Sequence, residues 1–78
     1  MHKFGIYEEG FMLSGMDSPV KAHFLAYSYG NDFLDACKNY INDGHDGQSY
    51  VDKSGNRYYG NWGCRWYPTL IEAQAFLG

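Results

Sequence analysis

One stretch of the chain commits to a single shape. Phe33, Ala36, Cys37, Tyr40 and Ile41 fall at i, i+3, i+4, i+7 and i+8, an apolar stripe down one side of an α-helix. Asp32 or Asn31 caps its start, and Asp35 lies in the first turn, where a carboxylate suits the helix dipole. Asn42-Asp43-Gly44 ends it. A helix with one apolar side must bury that side, and the neighbouring sequence offers mainly short alternating runs. The pattern therefore predicts a sheet for the helix to lie on.

Those runs can be read in order. Lys3 to Tyr7 alternates, with Phe4 and Ile6 on one face. Phe11-Met12-Leu13 extends the pairing, and Asp17-Ser18-Pro19 is loop. Val20 to Tyr29 is the longest strand. Strict alternation puts Val20, Ala22, Phe24 and Ala26 toward the core and Lys21, His23, Leu25, Tyr27 and Tyr29 on the other face. Ser49-Tyr50-Val51-Asp52 and Asn56-Arg57-Tyr58-Tyr59 flank Lys53-Ser54-Gly55. This is a hairpin with Gly55 left-handed and Tyr50 opposite Tyr58. Gly60-Asn61 permits a turn or bulge. Trp62, Cys64 and Trp66 then share one heavy apolar face of a strand.

Thr69 and Glu72 form a T-x-x-E capping box ahead of a last helix. Leu70, Ala73 and Leu77 face inward there, and Ile71 and Phe76 widen the stripe. The sum is an α+β fold, an antiparallel β-sheet with two helices packed on one face, in the order β-β-α-β-β-β-α. With 78 residues there is room for a single domain, 1–78. A core of that size supplies only a few kcal/mol, so a homo-oligomer is a natural further support.

Charge removes some partners. The net charge is −3, and the six bases (Lys3, Lys21, Lys38, Lys53, Arg57, Arg65) are dispersed. A protein that grips duplex nucleic acid needs them clustered, so direct duplex binding is excluded. The first residues carry no apolar signal core, and Ala22–Tyr29 is far too short to span a bilayer. No membrane is expected, and the cytoplasm is the expected location, with Cys37 and Cys64 reduced and buried.

Chemistry is sparse. His23, Cys37, His45 and Cys64 have zinc-binding atoms, but no pair has the close spacing of a knuckle. The run 42–47 faintly echoes a calcium loop, yet Lys53 stands where that loop needs a bidentate Glu. No metal and no cofactor are expected. A cysteine nucleophile, Cys64 with His23 or His45 as base, has no elbow or oxyanion hole to mark it. The reading is a protein without catalytic residues.

The segment Tyr58-Tyr59-Gly60-Asn61-Trp62-Gly63-Cys64-Arg65-Trp66-Tyr67 is the densest in aromatics. Trp62 and Trp66 belong to the core. One sheet–helix interface takes only one strand parity, so Tyr59, Tyr67, Tyr27 or Tyr58 must partly face outward. Tyr27, Arg57, Tyr59, Arg65 and Tyr67 are the candidate binding residues, because Tyr and Arg dominate contact hot spots.

Three segments carry a resemblance. Asp32-Phe33-Leu34-Asp35-Ala36-Cys37, Trp62-Gly63-Cys64-Arg65-Trp66-Tyr67 and Glu72-Ala73-Gln74-Ala75-Phe76-Leu77-Gly78 together resemble small uncharacterised accessory proteins of tailed bacteriophages. The resemblance covers residues 32–78 and carries no catalytic motif. It implies a host-takeover or anti-defence protein that acts stoichiometrically on a bacterial host protein in the host cytoplasm. The first expectation is therefore a non-enzymatic inhibitor of such a protein. The alternatives are an oligomeric protein that sequesters a nucleotide-like signal between Tyr faces and Arg57 or Arg65, and a small thiol-dependent enzyme.

Overall fold

A computed structural model describes residues 1–75. The elements are β1 (His2–Glu8), β2 (His23–Gly30), α1 (Phe33–Asn42), β3 (Gln48–Val51), β4 (Arg57–Asn61), β5 (Cys64–Tyr67) and α2 (Leu70–Ala73). This is the α+β order that the patterns predict. The strands make one five-stranded antiparallel sheet, β2-β1-β5-β4-β3. β1 and β5 pair only at Tyr7↔Tyr67 and Glu8↔Trp66.

α1 begins where its sequence directs. Asp32 is the N-cap and accepts from the Asp35 amide at 2.8 Å. Gly44 leaves the helix end with φ of 102°, a conformation that costs glycine nothing. The apolar stripe of α1 meets Ile6 and Trp66, and Ile6, Cys37 and Trp66 form the buried core. Leu25, Phe33, Tyr40, Ile41 and Tyr59 pack around them. Ser28 Oγ donates to the Ala36 carbonyl at 2.8 Å, fastening β2 to the helix. A Cβ at Gly30 would lie 2.4 Å from the Ala36 nitrogen, so this approach requires glycine.

The β3–β4 hairpin follows its predicted register. Val51 pairs with Arg57 and Tyr50 with Tyr58. Asp52 closes the turn, its amide donating to the Asn56 carbonyl at 2.9 Å and its carbonyl accepting from Gly55 at 3.0 Å. Gly55 has φ of 86°. Asp52 Oδ1 also accepts from the Ser54 and Asn56 amides, an Asx turn inside the hairpin.

Strict alternation fails in β2. Regular pairing begins at His23, not Val20; Val20 makes only an isolated bridge with Phe11. Ile6 pairs with Ala26 and Tyr7 with Phe24, so Leu25 is an extra residue on β2. A β-bulge of this kind turns two successive side chains to one face. Leu25 and Ala26 thus both face α1, and Phe24 moves to the opposite face with Tyr27 and Tyr29. The expected core position of Phe24 and outer position of Leu25 are both reversed.

Trp62 is the second correction. It does not share the strand face of Cys64 and Trp66. β4 runs through Asn61, and Trp62-Gly63 form a two-residue turn to β5 with φ of 55° and 80°. Both values are positive, which is the geometry of a type I′ hairpin. The indole is left 92% exposed, while Cys64 and Trp66 are buried.

Thr69 caps α2: its Oγ1 accepts from the Glu72 amide at 3.2 Å and donates to the Glu72 carboxylate at 3.0 Å. Ala73 is fully buried, and α2 packs against β1, β2 and β5. Leu70 is partly exposed, and Ile71 is exposed rather than part of an inner stripe. Leu77 and Phe76 lie outside the described residues.

Candidate functional site

The face of the sheet opposite α1 carries a row of aromatic rings that touches all five strands. Its members follow from strand parity. Trp66 and Ile6 face the helix, so their neighbours Tyr67, Arg65 and Tyr7 face away. Tyr58 alternates with Tyr59, which packs against the core. Tyr50 follows Tyr58, its cross-strand partner. On β2 the bulge adds Phe24 to Tyr27 and Tyr29.

The row is two groups of contacting side chains that meet at the β1–β5 pairing. Tyr27 and Phe24 lie 4.9 Å apart, and Phe24 meets Tyr7 edge-on at 5.4 Å. Tyr7 stands directly opposite Tyr67. The Arg65 guanidinium lies 5.5 Å from the Tyr67 ring centre and 4.6 Å from that of Tyr58. Tyr58 stacks on Tyr50 at 5.2 Å. At the β2 side, the Lys3 ammonium sits 4.1 Å over Tyr27. Tyr27 is 58% exposed and Tyr29 54%, while Tyr7, Tyr50, Tyr58, Arg65 and Tyr67 are half-buried against their neighbours.

Glu9 fixes the middle of this row. Its carboxylate accepts from the Arg65 amide at 3.0 Å and from the Tyr67 hydroxyl at 3.3 Å. Burial pushes the Tyr67 phenol above its ordinary pKa, and the Glu9 carboxylate adds to this. Tyr67 is therefore a neutral donor held in one orientation. The cation–π contacts do the same for Arg65, whose guanidinium lies over the Tyr58 and Tyr67 rings.

Of the five residues singled out from the sequence, the structure brings Tyr27, Arg65 and Tyr67 to this face. Tyr59 lies on the α1 side against the core. Arg57 also lies on that side, bonded to Ser49 Oγ. Neither can join the other three. Alternation through β4 separates them, since Arg57 and Tyr59 share a parity that Tyr58 does not. Sequence reasoning had Tyr58 among the outward candidates but not among the binding residues, and it missed Tyr7, Phe24 and Tyr50. The hairpin register already placed Tyr50 against Tyr58. Phe24 could not be found without the bulge.

Trp62 is a separate exposed aromatic, at the β4–β5 tip. It adjoins two grooves, one lined by Asp46, Gln48, Tyr50 and Asn61, the other by Glu8, Phe11, Leu13 and Cys64. The Gly63 amide donates to the Tyr50 hydroxyl at 3.2 Å, which ties this tip to the end of the aromatic row. A bulky residue at positive φ carries strain of about 1 kcal/mol or more. Full exposure returns almost nothing for it.

The two thiols are chemically quiet. Burial pushes Cys37 up to about 12. Burial also raises Cys64, aided by the Glu8 and Glu9 carboxylates. His45 stacks on Tyr40 at 4.1 Å, and His23 lies 3.5 Å from Glu8. Among the described residues no three His, Cys, Asp or Glu side chains gather as a metal site. No described helix is long and apolar enough to cross a membrane. No family model, curated protein or solved structure matches the chain.

Proposed function

We propose that this chain is a non-enzymatic binding protein, a stoichiometric inhibitor of a bacterial host protein such as an antiviral-defence component, and that the outward aromatic row is its contact surface. The observation that carries the reading is that aromatic side chains from all five strands, Tyr27 to Tyr50, share one face of the sheet around Arg65. Tyr offers a large contact area with few rotatable bonds, so little entropy is lost on docking. Arg65 sits near the centre, where a desolvated hot spot contributes most. Rings already in contact with each other lose little further freedom when a partner covers them. The bacterial target class comes from the resemblance of residues 32–78 to phage accessory proteins.

Affinity capture from bacterial lysate, followed by native mass spectrometry, tests it. The expected result is one host protein in a fixed ratio, lost with a Phe24→Ser/Tyr27→Ser double variant. Recovery of no stoichiometric protein from lysates of susceptible hosts argues against inhibition.

A second reading is sequestration of a nucleotide-like molecule. The Arg65 guanidinium between Tyr58 and Tyr67 supports it, since a base can stack on Tyr while Arg meets a phosphate. Calorimetric titration with nucleotides separates the two: nucleotide binding that Arg65→Ala abolishes favours sequestration. A thiol-dependent reaction has the least support, because burial favours the protonated form of both thiols.

A further inference from the structure

The two edges of the sheet are finished differently. On β2, the Tyr29 carbonyl points away from β1 and accepts from Asn39 Nδ2 of α1 at 2.9 Å. β3 has no such cover. The Asp52–Asn56 turn bond fixes which β3 residues bond to β4. Tyr50 and Gln48 share the parity of Asp52 and turn their backbone groups toward Tyr58 and Gly60. Ser49 and Val51 therefore turn their N–H and C=O groups to the free edge. Among the described residues these groups have no bonded partner.

Natural edge strands are usually blunted by a charge, a proline or a bulge. Gln48-Ser49-Tyr50-Val51 contains none of these. Val51 is 57% exposed. We infer that β3 pairs antiparallel with β3 of a second copy, through the free backbone groups of Ser49 and Val51. The pattern is self-complementary. Two outward-turned residues separated by Tyr50 set a register in which Ser49 of each copy bonds Val51 of the other. The two-fold axis then passes between the two Tyr50 residues, which form a non-bonded pair with close Cα atoms. Tyr50 faces outward, so the row Tyr67-Arg65-Tyr58-Tyr50 continues into its own image. The same register sets Lys53 opposite Gly47, next to Asp46, and so brings opposite charges together at both ends of the junction.

A single hydrogen-bonded strand pair of this length is a weak junction, so the test needs concentrated protein. Sedimentation equilibrium of the full chain at about 500 µM populates a dimer with a Kd of about 100 µM. The expected mass is twice 8.9 kDa. Val51→Pro removes an N–H that β4 does not use and is tolerated on an edge. It is expected to yield a monomer with unchanged circular dichroism. Val51→Thr keeps the N–H and is expected to remain dimeric. Hydrogen exchange of the wild-type chain decides the matter if the proline variant does not fold: the Ser49 and Val51 amides slow at least tenfold between dilute and concentrated protein. A monomer at 500 µM, exchange at those amides independent of concentration, or a dimer that survives in folded Val51→Pro overturns the proposal.

Discussion

The Arg65 guanidinium lies 4.6 Å above the centre of the Tyr58 ring, one strand away. That contact joins the β5 and β4 parts of the aromatic row. It holds a delocalised charged head over a ring where lysine would offer only a point charge. Arg65→Lys is therefore expected to behave like Arg65→Ala, each weakening partner binding at least tenfold while the melting temperature changes little. Calorimetry against the captured partner checks this. Full binding by Arg65→Lys shows that charge alone suffices.

Trp62 carries a positive φ that Asn adopts with far less strain. Trp62→Asn should raise stability by about 1 kcal/mol, or roughly 5 °C in melting temperature for a domain of this size. The indole is exposed, so little packing is lost. A fall in melting temperature would show that the grooves beside Trp62 hold it more firmly than its exposure implies.

Gly30 sets the distance between β2 and α1. Gly30→Ala forces the added methyl against the backbone of Ala36, which cannot retreat without pulling the Ser28–Ala36 bond apart. A loss of about 2 kcal/mol or more is expected in urea unfolding. Gly15→Ala is a useful comparison: its added Cβ meets no atom within 4 Å, and the loss there is limited to backbone strain.

Alkali should destabilise the fold through Cys37. An unfolded thiol ionises near 9.0, whereas the buried thiol stays protonated to about 12. Between those values the unfolded chain binds fewer protons than the folded one, so stability falls as pH rises. The stabilisation is fully present below pH 9.0 and is lost progressively as pH rises from there toward about 12. Cys64, Tyr40 and Tyr67, all raised, act in the same direction. Cys37→Ala should flatten the slope of stability against pH over this range. An unchanged slope would assign the loss to the other groups.

The legible parts of this fold are those where local chemistry leaves one solution. The α1 stripe with its Asp32 cap, and the Asp52–Gly55 turn with its register, could be read directly. The bulge at Leu25 could not, because no residue in the strand marks it. Ala26, Ser28 and Gly30 keep the regular alternation toward α1, and the shift falls on Phe24 and the residues before it, where β2 pairs with Tyr7 and Glu8. Trp62 misled for a related reason. Its spacing from Cys64 and Trp66 fits a strand face, and its size suits a core. The signal pointing the other way was Gly63, a glycine suited to the second position of a two-residue hairpin turn. For the site, Tyr27, Arg65 and Tyr67 were found because they lie on regular strand segments. Tyr59 and Arg57 were misplaced because the parity of β4 is set by tertiary packing against Cys37 and Trp66, which no local pattern encodes.

The most direct test of the aromatic row as a contact surface is a comparison of three proteins in one capture experiment. Wild type, Phe24→Ser/Tyr27→Ser and Arg57→Ala are each passed through the same bacterial lysate and analysed by native mass spectrometry. The altered residues are all exposed or on the sheet surface, so the fold should persist in each. The predicted result is a complex of fixed ratio with wild type and with Arg57→Ala, on the α1 side, and its loss with the double variant. A complex that survives the double variant but not Arg57→Ala would contradict the assignment and move the contact to the other face.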